Sequence, residues 1–475
     1  MVKRTAASTR LIYTVAGASA TSEPPDGGKS PGVELTHGFS VHVRIESMTS
    51  GNPDGLFTGF GFGAIQAGLF TLEALRENAF ERVAVCEISE PLVERVRQNG
   101  GLFTVNIAHE NGIETVELGP VEILNPNSAT DRELIVERLV RSSEAATAVP
   151  SVDIYTAGGA GSIRGLLAEA LRSEREAPLM VYTAENNNRA AEILEEAVRA
   201  EAGLPQQLFD ERISFVNTVI GKMSGIISNP EEITARGIAR LAPGHDSAIL
   251  VEEFNRILVS TPSGYNAAGW RPAFTSFETR KELLPYEEAK LYGHNGVHAM
   301  GSYLASLLGK TRMDELRLVP GAVAFLERAL VDEAGAALLR RHSGLDELFT
   351  PEGFSEYAAE LIPRMLNPHL GDLVARVARD PERKLGWNDR LVGTLRLGIE
   401  TGVDMPRFAL AAAAALRYLA PSAAGPATAL ECIWKKDTPP AKEAAVICAL
   451  IETAHEKLST ARVEDLFTSP EVFDS

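Results

Sequence analysis

The chain has little cysteine. Three occur in 475 residues, Cys86, Cys432 and Cys448, and none stands in a C-x-x-C pair. That number cannot build a disulfide framework, fits a reducing compartment and leaves no cysteine-based zinc site. Histidine is also sparse: nine are scattered without an H-E-x-x-H or H-x-H cluster, so no metal is expected. Long apolar runs are missing as well, and no stretch approaches the ~18 apolar residues of a membrane helix. The mixed run 11–20, behind Lys3, Arg4 and Arg10, is too diluted by Thr14, Gly17 and Ser19 to read as an export signal. Positive charge is in deficit. A formal net charge of −18 repels phosphate backbones and anionic membrane faces, so neither nucleic acid nor membrane is an expected partner, and a cytoplasmic location is expected.

What is present is an ordinary globular balance, 45% hydrophobic and 23% charged, over a length too great for one core. Residues 1–47 contain the Pro-, Gly- and Ser-rich stretch 22–32 and read as a disordered, dispensable extension, with Met48 as an alternative start. Residues 48–282 alternate short apolar strands with helices. The strands are expected at Leu56–Phe60, Arg82–Ile88, Val152–Ala157, Leu179–Ala184 and Ile249–Ser260. The helices run to about Asn78, over Glu90–Asn99 and over Ser162–Arg175. Such alternation indicates an α/β fold with a doubly wound parallel sheet. Residues 283–475 have helical periodicity and almost no strand signal, as in Val319–His342, Phe354–Leu366 and Phe408–Leu419, and read as an all-helical domain. The alanine run Ala411–Ala415 suggests a tight helix–helix contact.

The segment Gly59–Gly68, GFGFGAIQAG, sits at a strand-to-helix junction. A dinucleotide pyrophosphate needs backbone amides at a helix N-terminus and no side chains blocking their approach. Gly61, Phe62, Gly63, Ala64 and Ile65 are the expected contacts, and Gly68 would let the helix pack on the sheet. Glu87 ends the second strand about twenty residues on, where an acid can accept from both ribose hydroxyls and repel a 2′-phosphate. Strand, glycine turn, helix, strand and acid in this order give a Rossmann-like domain and favour NAD over NADP; the alternative makes Glu87 a solvated strand end. The turn Thr156-Ala157-Gly158 reads either as a lid on the nicotinamide side or as a plain loop.

The second domain opens with the helical segment Lys290-Leu-Tyr-Gly-His294-Asn295-Gly-Val-His298. Pro285 suits its start and Gly309 its end. On a uniform α-helix with Lys290 at zero, His294 falls at about 40°, His298 at about 80° and Asn295 at about 140°. All four share one broad side. A lysine in a cleft there would have its charged form disfavoured. The alternative is a solvated lysine near a helix start.

KLYGHNGVH resembles the K-x4-N-x2-H signature of the polyol-specific long-chain dehydrogenase family, which includes mannitol dehydrogenases, mannitol-1-phosphate 5-dehydrogenases and hexuronate reductases. Further segments are similar in the family's order: FGFGAIQAGLF; Asn99–Val105; Glu185-Asn186-Asn187-Asn188-Arg189-Ala190; Val251–Val259; and Asn367-Pro368 with Arg383-Lys384-Leu385 and Asp389–Gly393. The resemblance covers nearly everything from Gly55 to Leu419. It implies a metal-independent NAD enzyme, with Lys290 as general base, Asn186 and Asn295 as oxyanion donors, and His298 against the substrate, with His294 nearby. The third glycine of the family's turn is Gln66 here. The family's N-x-x-x-D-R reads Asn217 to Lys222, with Gly221 in place of the acid and Lys222 in place of the arginine. Lys222 either meets a substrate phosphate or lies on the surface. The implied reaction joins a polyol, mannitol 1-phosphate in the branch most similar, to the keto sugar fructose 6-phosphate. An unphosphorylated polyol or a hexuronate is one alternative, and a silenced NAD-binding regulator another. Either a monomer or a homodimer fits. The expectation rests on the Lys290 amine reaching a nicotinamide held by the first domain.

Overall fold

Leu56–Phe60 (LFTGF) and Leu179–Thr183 (LMVYT) are buried along their whole length, the pattern of strands covered on both faces. A computed structural model of the chain describes residues 11–15, 41–46, 55–175, 177–262, 270–419 and 425–468, the first two segments as backbone only. The chain divides into two compact units, Met1–Leu283 and Leu284–Ser475.

In the first unit, six strands are mutually parallel: β1 (Leu56–Phe60), β2 (Arg82–Cys86), β3 (Glu122–Leu124), β4 (Ser142–Thr147), β5 (Leu179–Thr183) and β6 (Ile213–Ile220). Their spatial order is β6-β5-β4-β1-β2-β3, the dinucleotide-binding order in which the chain doubles back between β1 and β4. Ile257–Ser260 and Phe277–Arg280 extend the β6 edge, the former antiparallel to β6. Alternate residues feed two cores. Phe57, Val85 and Tyr182 enter one, and Phe60, Ala145 and Val181 the other. Ile163–Arg172 covers the second core with Ile163, Leu166, Leu167, Ala170 and Leu171, at helical spacing, behind the cap of Ser162 on the Gly165 amide.

Three expectations need correction. The strand expected at Val152–Ala157 lies instead at Ser142–Thr147; Val152–Thr156 is a 3₁₀ turn started by Ser151, whose hydroxyl accepts from the Asp153 amide. The strand SSEAAT lies hidden because its polar members find partners inside the fold. Ser142 pairs with Thr58, and Glu144 accepts from the Tyr182 hydroxyl and the Ala273 amide. Thr156-Ala157-Gly158 is therefore an exposed turn at the end of that 3₁₀ segment rather than a strand end. The late strand splits in two: Ala248–Glu252 joins a second sheet, and Ile257–Ser260 the main one. Within the expected disordered extension, Leu11–Val15 and Val41–Glu46 are strands, the latter parallel to Ile113–Gly119 of the second sheet. The remainder of that extension, and Met48, lie outside the described residues.

The second unit is helical. Leu284–Glu288, a π turn Ala289–His294 and Asn295–Leu307 form one continuous run. The π turn breaks the uniform 100° spacing assumed above, because each residue in it advances by a smaller angle. Pro406–Leu419 carries the five alanines, all fully buried, and packs on Asn295–Leu307 and on Ala441–Thr460. Among the described residues no helix is long and apolar enough to cross a membrane.

The Gln66 departure has a local accommodation. A Cβ at Gly59 would stand 2.2 Å from Gln66 Nε2, so the glutamine lies over β1 only because Gly59 has no side chain. Gly59→Ala is expected to lower stability by about 1–3 kcal/mol, and the double variant Gly59→Ala/Gln66→Ala to recover most of it. Thermal denaturation checks both. An unchanged midpoint in the single variant overturns the packing account.

Candidate active site

The glycine turn follows β1 directly. Gly61 has φ +81°, and a Cβ there would come within 2.9 Å of Ala148 O, so the chain's own backbone demands glycine. Gly63 is different. Its φ is not in the left-handed region, and the nearest atom to a built Cβ is Ile226 Cδ1 at 4.0 Å. Among the described residues only Ile226 reaches the room above Gly63, which suits close approach of a pyrophosphate. Ala64 opens the helix that runs through Gln66–Thr71 to Arg76, with Ala64 and Ile65 half-buried. A Cβ at Gly68 would meet Val251 Cγ1 at 2.4 Å, so this glycine sets the helix against the second sheet. Phe62 turns its ring into the core, 5.0 Å from Phe103, leaving only its backbone at the turn.

Glu87 is brought to that turn. Its Oε2 accepts from the Phe62 amide at 2.8 Å and its Oε1 from the Ser89 amide at 2.7 Å. A carboxylate has about four lone-pair sites, so capacity remains for ribose hydroxyls. Beyond β4 and β5 a buried carboxylate that the sequence reading left without a role, Glu185, gathers the strand ends. It accepts from Thr147 Oγ1 at 2.8 Å, from the Val149 amide at 2.9 Å and from the Tyr155 hydroxyl. Desolvation raises its pKa, against the pull of these donors. Glu185 thus fixes the backbone next to Asn186, which is exposed together with Asn187 and Asn188. Asn187 uses its side chain in its own turn, accepting from the Arg189 amide.

Lys222 does not offer its amine to a ligand. It is buried, and Nζ donates to Glu252 O at 2.6 Å and Phe254 O at 2.7 Å, stitching β6's end to the loop that divides the late strand. The phosphate contact expected of it is withdrawn on that ground.

In the second unit Lys290 sits in the π turn, half-buried. Its amine has no hydrogen-bond partner among the described residues. Desolvation, helped by the Arg390 guanidinium and opposed by Glu287, brings its pKa down to about 8. Asn295 begins the following α-helical stretch and is half-buried. His294 is buried, and desolvation, then His298, Arg364, Lys290 and Arg390, hold it neutral; its ring centroid lies 6.3 Å from that of His298. His298 Nε2 stands 3.3 Å from Asp372 Oδ2. Tyr286, four residues before Lys290, is buried and donates to Asp346, so its hydroxyl is tied into the helical unit.

Packing explains why two separated segments meet here. A Cβ on Gly296 would touch Arg390 O at 3.1 Å, and one on Gly393 would sit 2.7 Å from Tyr292 Cε1. Bare backbones let the 390–393 segment lie on the Lys290 helix, which sets Arg390 beside the amine. Arg390 and Asp372 were not singled out in the sequence. The only signal was their membership of, or proximity to, the D-R-L-V-G and N-P segments. Ile226, 55% exposed beside Gly63, was also missed. Among the described residues no three His, Cys, Asp or Glu side chains gather to hold a metal ion.

A family model described as mannitol dehydrogenase C-terminal domain matches residues 282–436. Over that stretch the chain carries a mannitol dehydrogenase C-terminal domain. It is 28% identical over 365 residues to a mannitol-1-phosphate 5-dehydrogenase of Exiguobacterium sp., covering 76% of this chain and 85% of that one. With the enzyme of the same name from Halalkalibacterium halodurans it shares 29% over 346 residues, 72% and 83% of the two chains. The fold is shared with substrate-free D-sorbitol dehydrogenase (TM-score 0.67, 15% identity, 87% and 95% covered). It is also shared with Pseudomonas fluorescens mannitol 2-dehydrogenase, solved with NAD and D-mannitol (TM-score 0.63, 16% identity, 89% and 95% covered). The chain therefore combines a Rossmann-type sheet with a helical unit that carries Lys290.

Because the positive Arg390 disfavours a charged neighbour, Arg390→Gln is expected to move the Lys290 pKa upward from about 8. Competitive acylation of Lys290 across pH, read by mass spectrometry, measures the inflection. An inflection unmoved by the substitution removes Arg390 from this role.

Proposed function

We propose that the chain is an NAD-dependent dehydrogenase that interconverts a polyol, mannitol 1-phosphate, with the keto sugar fructose 6-phosphate, using Lys290 as general base without a metal. The observation that carries this reading is the Lys290 amine: unpartnered among the described residues, on a half-buried side chain, and with a pKa of about 8. A base must be uncharged to take a proton, and a pKa near working pH gives it both capacity and driving force. The unit that includes Gly61, Gly63 and Glu87 fits a dinucleotide, because Gly63 leaves room that only Ile226 reaches among the described residues. When bound, NAD supplies the acceptor for the hydride leaving the carbinol carbon.

The residues of this chain then divide the remaining work. Lys290 takes the hydroxyl proton as the hydride departs. Asn295 and Asn186 offer amide N–H groups to the developing alkoxide, which they can stabilise without competing for the proton. His298 holds a substrate hydroxyl. Glu87 meets the ribose and disfavours a 2′-phosphate. The phosphate ester is supported by the curated relatives and by the cationic surroundings of His294, with Arg364 and Arg390 among them. The burial of Lys222 favours the second reading, an unphosphorylated polyol.

NADH formation with mannitol 1-phosphate, mannitol and hexuronates decides among the substrates, and tight NAD binding with no turnover on any of them would mark a silent regulator instead. Lys290→Ala is expected to reduce turnover by at least about a hundredfold while NAD binding persists, and the oxidation rate of the unaltered enzyme should climb as pH rises through about 8, where the amine loses its proton. Near-normal turnover in Lys290→Ala rejects the base assignment. Glu87→Ser should narrow the preference for NAD over NADP, measured as the ratio of kcat/KM values; an unchanged ratio means that Glu87 does not meet the ribose.

A further inference from the structure

Among the described residues Asp372 is the one carboxylate in ion-pairing distance of the Lys290 helix's second histidine, and nothing in the reaction as proposed uses it. Its side chain is buried. Oδ1 accepts from Arg376 Nε at 2.6 Å. Oδ2 lies at an ion-pair distance of 3.3 Å from His298 Nε2, and neither of these two buried atoms has a hydrogen-bond partner among the described residues. The backbone beneath is pinned: the Met313 amide donates to Asp372 O at 2.9 Å, Arg312 and Leu373 form a β-bridge, and the Val374 amide donates to Thr311 O at 2.9 Å. The carboxylate is therefore presented from a fixed position. Burial works to raise its pKa, but His298 and Arg376 outweigh burial and keep it below the usual aspartate range, hence ionised.

We propose that Asp372 is a positioning residue that holds His298 in the tautomer protonated on Nε2, so that the ring presents Nδ1 to the substrate as a hydrogen-bond acceptor. This rests on the reading above, in which the Lys290 helix meets a polyol. The chemistry is short. An ionised carboxylate can only accept, so the nitrogen facing it carries the hydrogen; a neutral imidazole has one N–H, so the other nitrogen is left with a lone pair. A lone pair at that place recognises a donor, which every hydroxyl of a polyol is and a ketone oxygen is not. His298 thereby selects for a hydroxyl neighbouring the reacting carbon and keeps its grip on it whether the reacting carbon is alcohol or ketone. Fixing a tautomer through a buried carboxylate is a general device, and replacing such an aspartate by asparagine leaves the geometry while favouring the other tautomer.

The test uses the full-length protein with ¹⁵N-histidine. In the unaltered chain the His298 ring is expected to show a protonated Nε2 and an unprotonated Nδ1. In Asp372→Asn the two should exchange, with KM for the polyol raised by at least about tenfold, kcat reduced less, and the NADH dissociation constant unchanged. A deoxy analogue lacking the neighbouring hydroxyl should lose much less in the variant than in the unaltered enzyme. Protonated Nδ1 in the unaltered protein overturns the proposal even if the variant does not fold, and so does a variant with the unaltered tautomer and KM. A chain that turns over no polyol, or a Lys290→Ala variant with normal turnover, would defeat the functional reading instead, and leaves the nitrogen assignment to be decided by its own spectrum.

Discussion

A half-buried amine next to a guanidinium is the constraint on which the helical unit depends. Hydration is what keeps a lysine charged, and the Lys290 helix removes much of it by lying beneath neighbouring segments. The contacts that accomplish this depend on glycines. Gly296 against Arg390 O and Gly393 against the Tyr292 ring allow an approach that any side chain would prevent, and Thr394 Oγ1 donates to Tyr292 O at 3.4 Å across the two segments. Close packing and basicity are thus one property seen twice: loosen the first and water restores the second.

In the first unit the corresponding task falls to carboxylates. Glu87 ties the end of β2 to the amide of the glycine turn, and Glu185 ties the ends of β4 and β5 to the loop between them. Both lie at the carboxyl edge of the sheet beside the point where strand order reverses, where open α/β sheets bind ligands. Each acid accepts from backbone amides, so the loops at that edge are held by main-chain geometry rather than by the packing of particular side chains. Such an edge can stay rigid while the residues it displays vary.

How much of this was legible depended on the range of the interactions. LFTGF, RVAVC and LMVYT announce themselves because apolar burial is written in consecutive residues. The strand SSEAAT could not be recognised locally, since the partners that make its polar residues burial-competent, Thr58, Tyr182 and Ala273, come from elsewhere in the chain. Lys290, Asn295 and His298 were readable as a group because one helix carries all three. Arg390 and Asp372, which tune the first and face the last, reach them only through tertiary packing. Lys222 shows the opposite error: a cation read as surface or ligand-facing is enclosed, its charge satisfied by carbonyls that sequence alone does not bring near.

The π turn at Ala289–His294 has a consequence for how such an arrangement could arise or be lost. Widened turns of this kind hold one residue more than the α-helix they interrupt. Removing a single residue from that stretch would let the run close into ordinary α-helix without turning the segments on either side of it. The run can therefore take up or give back one residue at this point while the residues flanking it hold their places.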